Sequence, residues 1–157
     1  MAILRVQPKT GKRQLLSDFT NAEQGVLAGF SSVIGIGLAV ETSGQILVNA
    51  TGTTAELILR IDPTTGQRTV LSNLYDAAQG PLGQSPAGLA VKSSGAIVVG
   101  AYKNPVISDT QSLFRVNPQT GRRALLSDSD NPAQGPPFIA ITSIAIVLED
   151  SDAEAHD

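Results

Sequence analysis

Few residues in this chain have the types and spacing that chemistry needs. Asp128, Asp130 and Asn131 set oxygen donors close together, and carboxylates at alternate positions can ligate Ca²⁺. Asp150, Asp152, Glu154 and His156 repeat that alternation at the C-terminus. The first set lacks the full EF-hand pattern and reads more simply as a turn; the second reads as a solvated tail. With no cysteine, the chain has no disulfide, no thiolate metal site and no cysteine nucleophile. Its single histidine, His156, lies one residue from the end, a poor place for a buried general base. No catalytic residue, no metal site and no cofactor is expected. "GIGLAV" from Gly35 starts like a dinucleotide-binding loop, but Val40 takes the sixth position and no helical pattern follows. Asn49-Ala50-Thr51 forms a glycosylation sequon at a predicted strand end, relevant only to a secreted eukaryotic chain.

Charge does not point to nucleic acid, since the net charge is −3. Glu149, Asp150, Asp152, Glu154 and Asp157 supply five of the 14 acids, so the acidity is mostly a tail. Residues 149–157 are expected to be a disordered acidic tail, outside a single domain of residues 1–148. No signal peptide and no membrane span is readable, because Arg5 breaks the first apolar stretch and the longest later ones are strand-length. A soluble chain of unreadable compartment is expected, with no membrane partner.

The elements that must carry any site follow from an internal repeat. "LRVQPKTGKRQLLSD" from Leu4, "LRIDPTTGQRTVLSN" from Leu59 and "FRVNPQTGRRALLSD" from Phe114 lie 55 residues apart. Arg5, Arg60 and Arg115 share one position, and Arg13, Arg68 and Arg123 share another. Gln-Gly follows at 24–25, 79–80 and 134–135. "GLAVETSGQILVNA" from Gly37 and "GLAVKSSGAIVVGA" from Gly88 form a third block, whose last copy starts at Ser143 and stops matching at Asp150.

Each unit reads as four short strands. Gly44 suits a hairpin turn between the first two, and Pro63 with Gly66 suits the turn between the last two. No stretch of helical period is free of Gly or Pro, so almost no helix is expected. "ILVNA" is apolar on both faces, which fits a sheet sandwiched between two others. A 55-residue four-stranded unit therefore resembles a β-propeller blade. Solenoid coils have shorter periods, and a plain sandwich has no reason to keep one. The fold expected is all-β, a partial β-propeller of about three blade equivalents of four-stranded antiparallel sheets.

Pro86, Gly88, Leu89, Ala90, Val91, Gly95 and Ile97, followed by Asn117, Pro118, Thr120 and Gly121, resemble the NHL-type repeat. The chain is also similar to gluconolactonase-like and streptogramin-lyase-like bacterial propellers. The resemblance spans roughly residues 3–148 and implies a propeller fold with a role in binding. The lactonase-like enzymes need a central cluster of carboxylates and amides around a metal, which the innermost positions here do not supply.

In the family's strand order, residues 3–17 are the outer strands of one blade, and 37–72 and 88–127 are full blades. Residues 143–148 are a lone innermost strand. Propellers typically have 4–8 blades. Either the chain is part of a longer propeller, or copies combine, most simply two chains in a six-bladed ring.

Both arginine sets read as structural, the first pairing with acids or carbonyls between blades and the second lying on solvated outer strands. The loops at 18–36, 73–87 and 128–142 are the expected partner surface. They hold Phe19, Phe30, Tyr75 and Phe138, which either meet a partner or cap the core. The function expected is a non-enzymatic repeat scaffold or binding module of unknown protein or small-molecule ligand. The alternative is a fragment of a lactonase- or lyase-like propeller enzyme whose catalytic residues lie elsewhere.

Overall fold

The computed structural model describes residues 2–26, 37–52, 55–103 and 110–147. Among them ten strands form three antiparallel sheets. β1 (Ala2–Val6) and β2 (Arg13–Asp18) make a hairpin. β3 (Leu38–Val40), β4 (Ile46–Thr51), β5 (Glu56–Ile61) and β6 (Arg68–Asn73) follow as a meander. β7 (Gly83–Val91), β8 (Ile97–Lys103), β9 (Gln111–Val116) and β10 (Arg123–Asp128) form a second meander. Strand β7 starts at Gly83, earlier than the repeat predicts, and is bulged on both sides of Ala87.

The 55-residue period fixes the same turn three times. Gly11, Gly66 and Gly121 have φ of 67°, 73° and 67°, a region that glycine enters without strain. Each donates its N–H to the carbonyl four residues back, on Gln7, Asp62 or Asn117. The Asp62 carboxylate accepts from the Thr64 and Thr65 N–H groups, both at 2.8 Å, and holds the turn from inside. Asn117 does the same for Gln119 and Thr120.

Helix is confined to three single 3₁₀ turns among the described residues, Ala22–Gln24, Ala77–Gln79 and Pro132–Gln134. Asn21, Asp76 and Asn131 cap them by accepting an N–H two residues on. No helix among the described residues is long and apolar enough to cross a membrane.

The core lies between the sheets. Leu47, Ile58, Leu71 and Leu74 of the first meander pack on Ile97, Val99, Phe114 and Val116 of the second. On its other face the first meander packs Val48, Leu57, Leu59 and Ile61 against Phe19, with Ile3 at the edge. The first meander is thus covered on both faces, as its apolar strands predict. Each such aliphatic side chain contributes roughly 1.5–3 kcal/mol on full burial.

The predicted innermost strand at 143–148 is corrected. Residues 138–147 form no strand, because no neighbouring strand offers ladder partners as β4 and β8 do for β3 and β7. The segment nevertheless follows the course of an inner strand. Phe138 and Ser129 exchange two hydrogen bonds, through the Phe138 N–H and carbonyl, at 2.8 and 2.6 Å. Gly83, one repeat earlier, donates to the Leu74 carbonyl at 3.0 Å. Ile144 lies over Gly88 and Ile141 over Gly100. The predicted tail, 149–157, lies outside the described residues.

Candidate functional site

The repeated polar residues join sheet to sheet. Arg68 reaches from β6 into the first hairpin, donating to Ser17 Oγ at 2.8 Å, the Asp18 carbonyl at 2.7 Å and the Asn21 carbonyl at 2.8 Å. Its guanidinium carbon lies 4.8 Å from the centre of the Phe19 ring. Arg123 enters the first meander in the same way, donating to Ser72 Oγ and to the Asn73 and Asp76 carbonyls. Burial disfavours the charge of both guanidinium groups, and Asp18 and Asp76 offset part of that cost.

These positions correct the expectation of solvated outer-strand arginines: Arg68 is 2% and Arg123 6% exposed. Only Arg13 of that set is exposed. The sequence missed this because burial of the outer strands needs a neighbouring sheet, which no local pattern announces.

The other set does pair between sheets. Arg5 donates to the Pro63 carbonyl at 2.5 Å, and Arg60 to the Pro118 carbonyl at 2.8 Å. Arg60 also makes a bidentate pair with Glu41, at 2.7 and 2.6 Å. In the next sheet Lys92 stands where Glu41 does, and Arg115 is exposed. The Gln-Gly loops are internally braced as well: Gln24, Gln79 and Gln134 accept the N–H of Asp18, Asn73 and Asp128 at 2.7–2.8 Å.

Three of the four loop aromatics fall among the described residues, in different surroundings. Phe19 is buried, Phe138 is half-buried, Tyr75 is 40% exposed, and Phe30 lies outside the described residues. Asp128 and Asp130 are bridged by Lys103 Nζ at 2.5 and 2.8 Å. That ammonium holds the Asp128 carboxyl below the usual carboxylate range. Among the described residues no group of three His, Cys, Asp or Glu side chains could hold a metal ion. Asn49, the acceptor of the sequon, is fully buried within β4, out of reach in the folded chain.

A polar group the sequence reading passed over lies between the two meanders. Pairing of Thr51 with Glu56 and of Asn49 with Ile58 puts Asn49, Thr51 and Glu56 on one face. Glu56 is 2% exposed. Burial pushes its carboxyl above the usual range, against the opposing pull of Thr51, the Ser85 backbone and Tyr75. Glu56 Oε2 and both polar atoms of Asn49 lack hydrogen-bond partners.

The repeat explains the orphaned oxygen. Gln111 stands one repeat after Glu56, and its Oε1 accepts the Ile141 N–H. Pro86 stands where Ile141 does, one repeat earlier, and has no N–H to give. Glu56 therefore lacks the donor its counterpart has.

One open cleft, about 570 Å³, lies at the turn end of the meanders, between Glu41, Ser43, Arg60, Ser94 and Gln119. It sits at the strand ends opposite those that lead into Phe19 and Tyr75.

This arrangement of repeated four-stranded meanders is similar in fold to a solved structure. The crystal structure of TolB from Acinetobacter baumannii superposes with a TM-score of 0.55 at 16% identity, over 80% of this chain and 26% of that one. The fold is β-propeller-like. This chain spans about a quarter of that structure's length. No protein-family model matches the sequence, and no curated protein matches it.

Proposed function

We propose that this chain is a non-enzymatic β-propeller-like scaffold or binding module of the NHL-repeat kind, completed by self-association or by sequence outside it. The observation that carries this reading is the division of labour among its polar residues. The repeated Arg and Ser side chains hold sheets together and the Gln side chains brace the loops, while the cleft beside Glu41 and Arg60 stays open at about 570 Å³. Its walls carry hydroxyls, the Gln45 and Gln119 amides and one fixed ion pair, suited to orienting a polar ligand without transforming it. At the loop end Tyr75 offers an exposed aromatic for a protein partner.

A random peptide library panned against the chain tests the reading. Peptides should be retained, and Ser94→Trp, which fills the cleft, should release them. Hydrolysis of glucono-δ-lactone by the chain, abolished in Glu56→Gln, would replace this reading with a propeller enzyme.

A further inference from the structure

Two joints within the chain are built from one set of residues. Where Arg68 and Arg123 enter the preceding sheet, Ser17 and Ser72 donate back to the Gly66 and Gly121 carbonyls at 2.8 and 2.9 Å. Arg5 and Arg60 cross in the opposite sense, to the carbonyls of Pro63 and Pro118. The turn glycines press so closely on the preceding sheet that a Cβ on Gly66 or Gly121 would collide with the carbonyl of Leu16 or Leu71.

One repeat outward in each direction, half of the same joint is open. On the first hairpin Arg13 is exposed, and a Cβ on Gly11 would meet nothing within 4 Å. Leu4 and Val6 are 49% and 52% exposed, whereas their counterparts Leu59 and Ile61 are fully buried. On the last sheet Ser127, Asp128 and Asn131 occupy the receiving positions of Ser72, Asn73 and Asp76. Leu113 and Leu126 are only partly covered there, and Arg115 is exposed. The two open faces are the two halves of a joint that the chain makes twice internally.

We propose that a second copy of this chain docks across these faces, with Arg13 of one copy seated on Ser127 Oγ and the Asp128 and Asn131 carbonyls of the other. Arg115 then donates to the Pro8 carbonyl across the joint, and Leu4 and Val6 cover Leu113 and Leu126. Two copies make two such joints, so neither face is left open. Residues 138–147 of each copy take the inner position of the sheet whose outer strands are the other copy's β1 and β2. A second copy is the fitting occupant because one chain already carries both complementary halves. The inference rests on the β-propeller-like scaffold reading and names its partner.

Light scattering on the unmodified chain, on Arg13→Glu, on Ser127→Arg and on their equimolar mixture tests it. The unmodified chain should have twice the 16.3 kDa of one chain. Each variant alone should run as a single chain, since each loses one half of every joint. The mixture should recover the pair, because one partner keeps the receiving carbonyls and the other keeps Arg13. Arg115→Glu, at an exposed side chain, repeats the test on the other arm, with circular dichroism confirming the strands. An unmodified chain that stays single overturns the proposal and gives the faces to blades from additional sequence. Variants that stay paired, or a mixture that stays single, overturn it as well. Loss of the pair with peptide binding intact separates this failure from failure of the scaffold reading.

Discussion

Ile144 stands against Gly88 as Leu89 stands against Gly37, one repeat earlier. The segment after the last complete sheet thus takes the position of an inner strand without the hydrogen bonds of one. Side-chain packing holds it there, together with the Ser129–Phe138 bonds and the Gln111–Ile141 bond.

Replacing Ile144 with Asp should therefore detach residues 138–147 from the last sheet. The side chain is half-buried, so the loss should be about 1–2 kcal/mol, at the low end for a core deletion. Urea unfolding should report it, and amide exchange in β7 and β8 should quicken while β4 and β5 are unaffected.

Arg123→Lys should be markedly destabilising although the charge is kept. An ammonium cannot span Ser72 Oγ and the carbonyls of Asn73 and Asp76 together, and buried acceptors left unpaired cost about 1–3 kcal/mol each. A loss of about 2–4 kcal/mol is expected from the unfolding midpoint.

The three turn glycines should separate by context. Alanine at Gly11 should cost about 1–2 kcal/mol, the left-handed backbone penalty alone. At Gly66 or Gly121 the Cβ also meets a carbonyl, so the loss should reach about 2–4 kcal/mol, typical of a strained and overpacked site. Equal losses at all three positions in thermal unfolding would count against the close inter-sheet approach.

Glu56 sets a pH dependence of definite sign. Its folded-state pKa is raised by burial, which disfavours the charged form relative to the unfolded chain. Its contribution to stability is full below its unfolded pKa and is lost as pH rises through the folded value. Glu56→Gln should remove that slope and make the chain more stable than the unmodified one at neutral pH, as chemical unfolding across the acid-to-neutral range would show.

The 55-residue spacing, the Pro-x-x-Gly turns and the absence of helical periodicity were enough to read four-stranded units from the sequence, because turn chemistry and strand alternation are local. The role of Arg68 and Arg123 was not legible. Their strand neighbours, Gln67 and Thr69 or Arg122 and Ala124, look like those of any solvent-facing strand, and the receiving carbonyls lie about 50 residues away. Glu56 was hidden for the same reason. Whether one oxygen of a buried carboxyl goes unpaired depends on the next sheet, not on the residues around it in the strand.

By itself the sequence determined the unit of this protein: turn type and the order of strands within each sheet. These follow from backbone preferences and periodicity inside a single repeat. Only the tertiary structure decided which faces meet, which arginines are buried, and where the segment after Asp128 comes to rest. Those depend on how a twisted sheet stacks on its neighbour, a property of two repeats together that no single stretch of residues encodes.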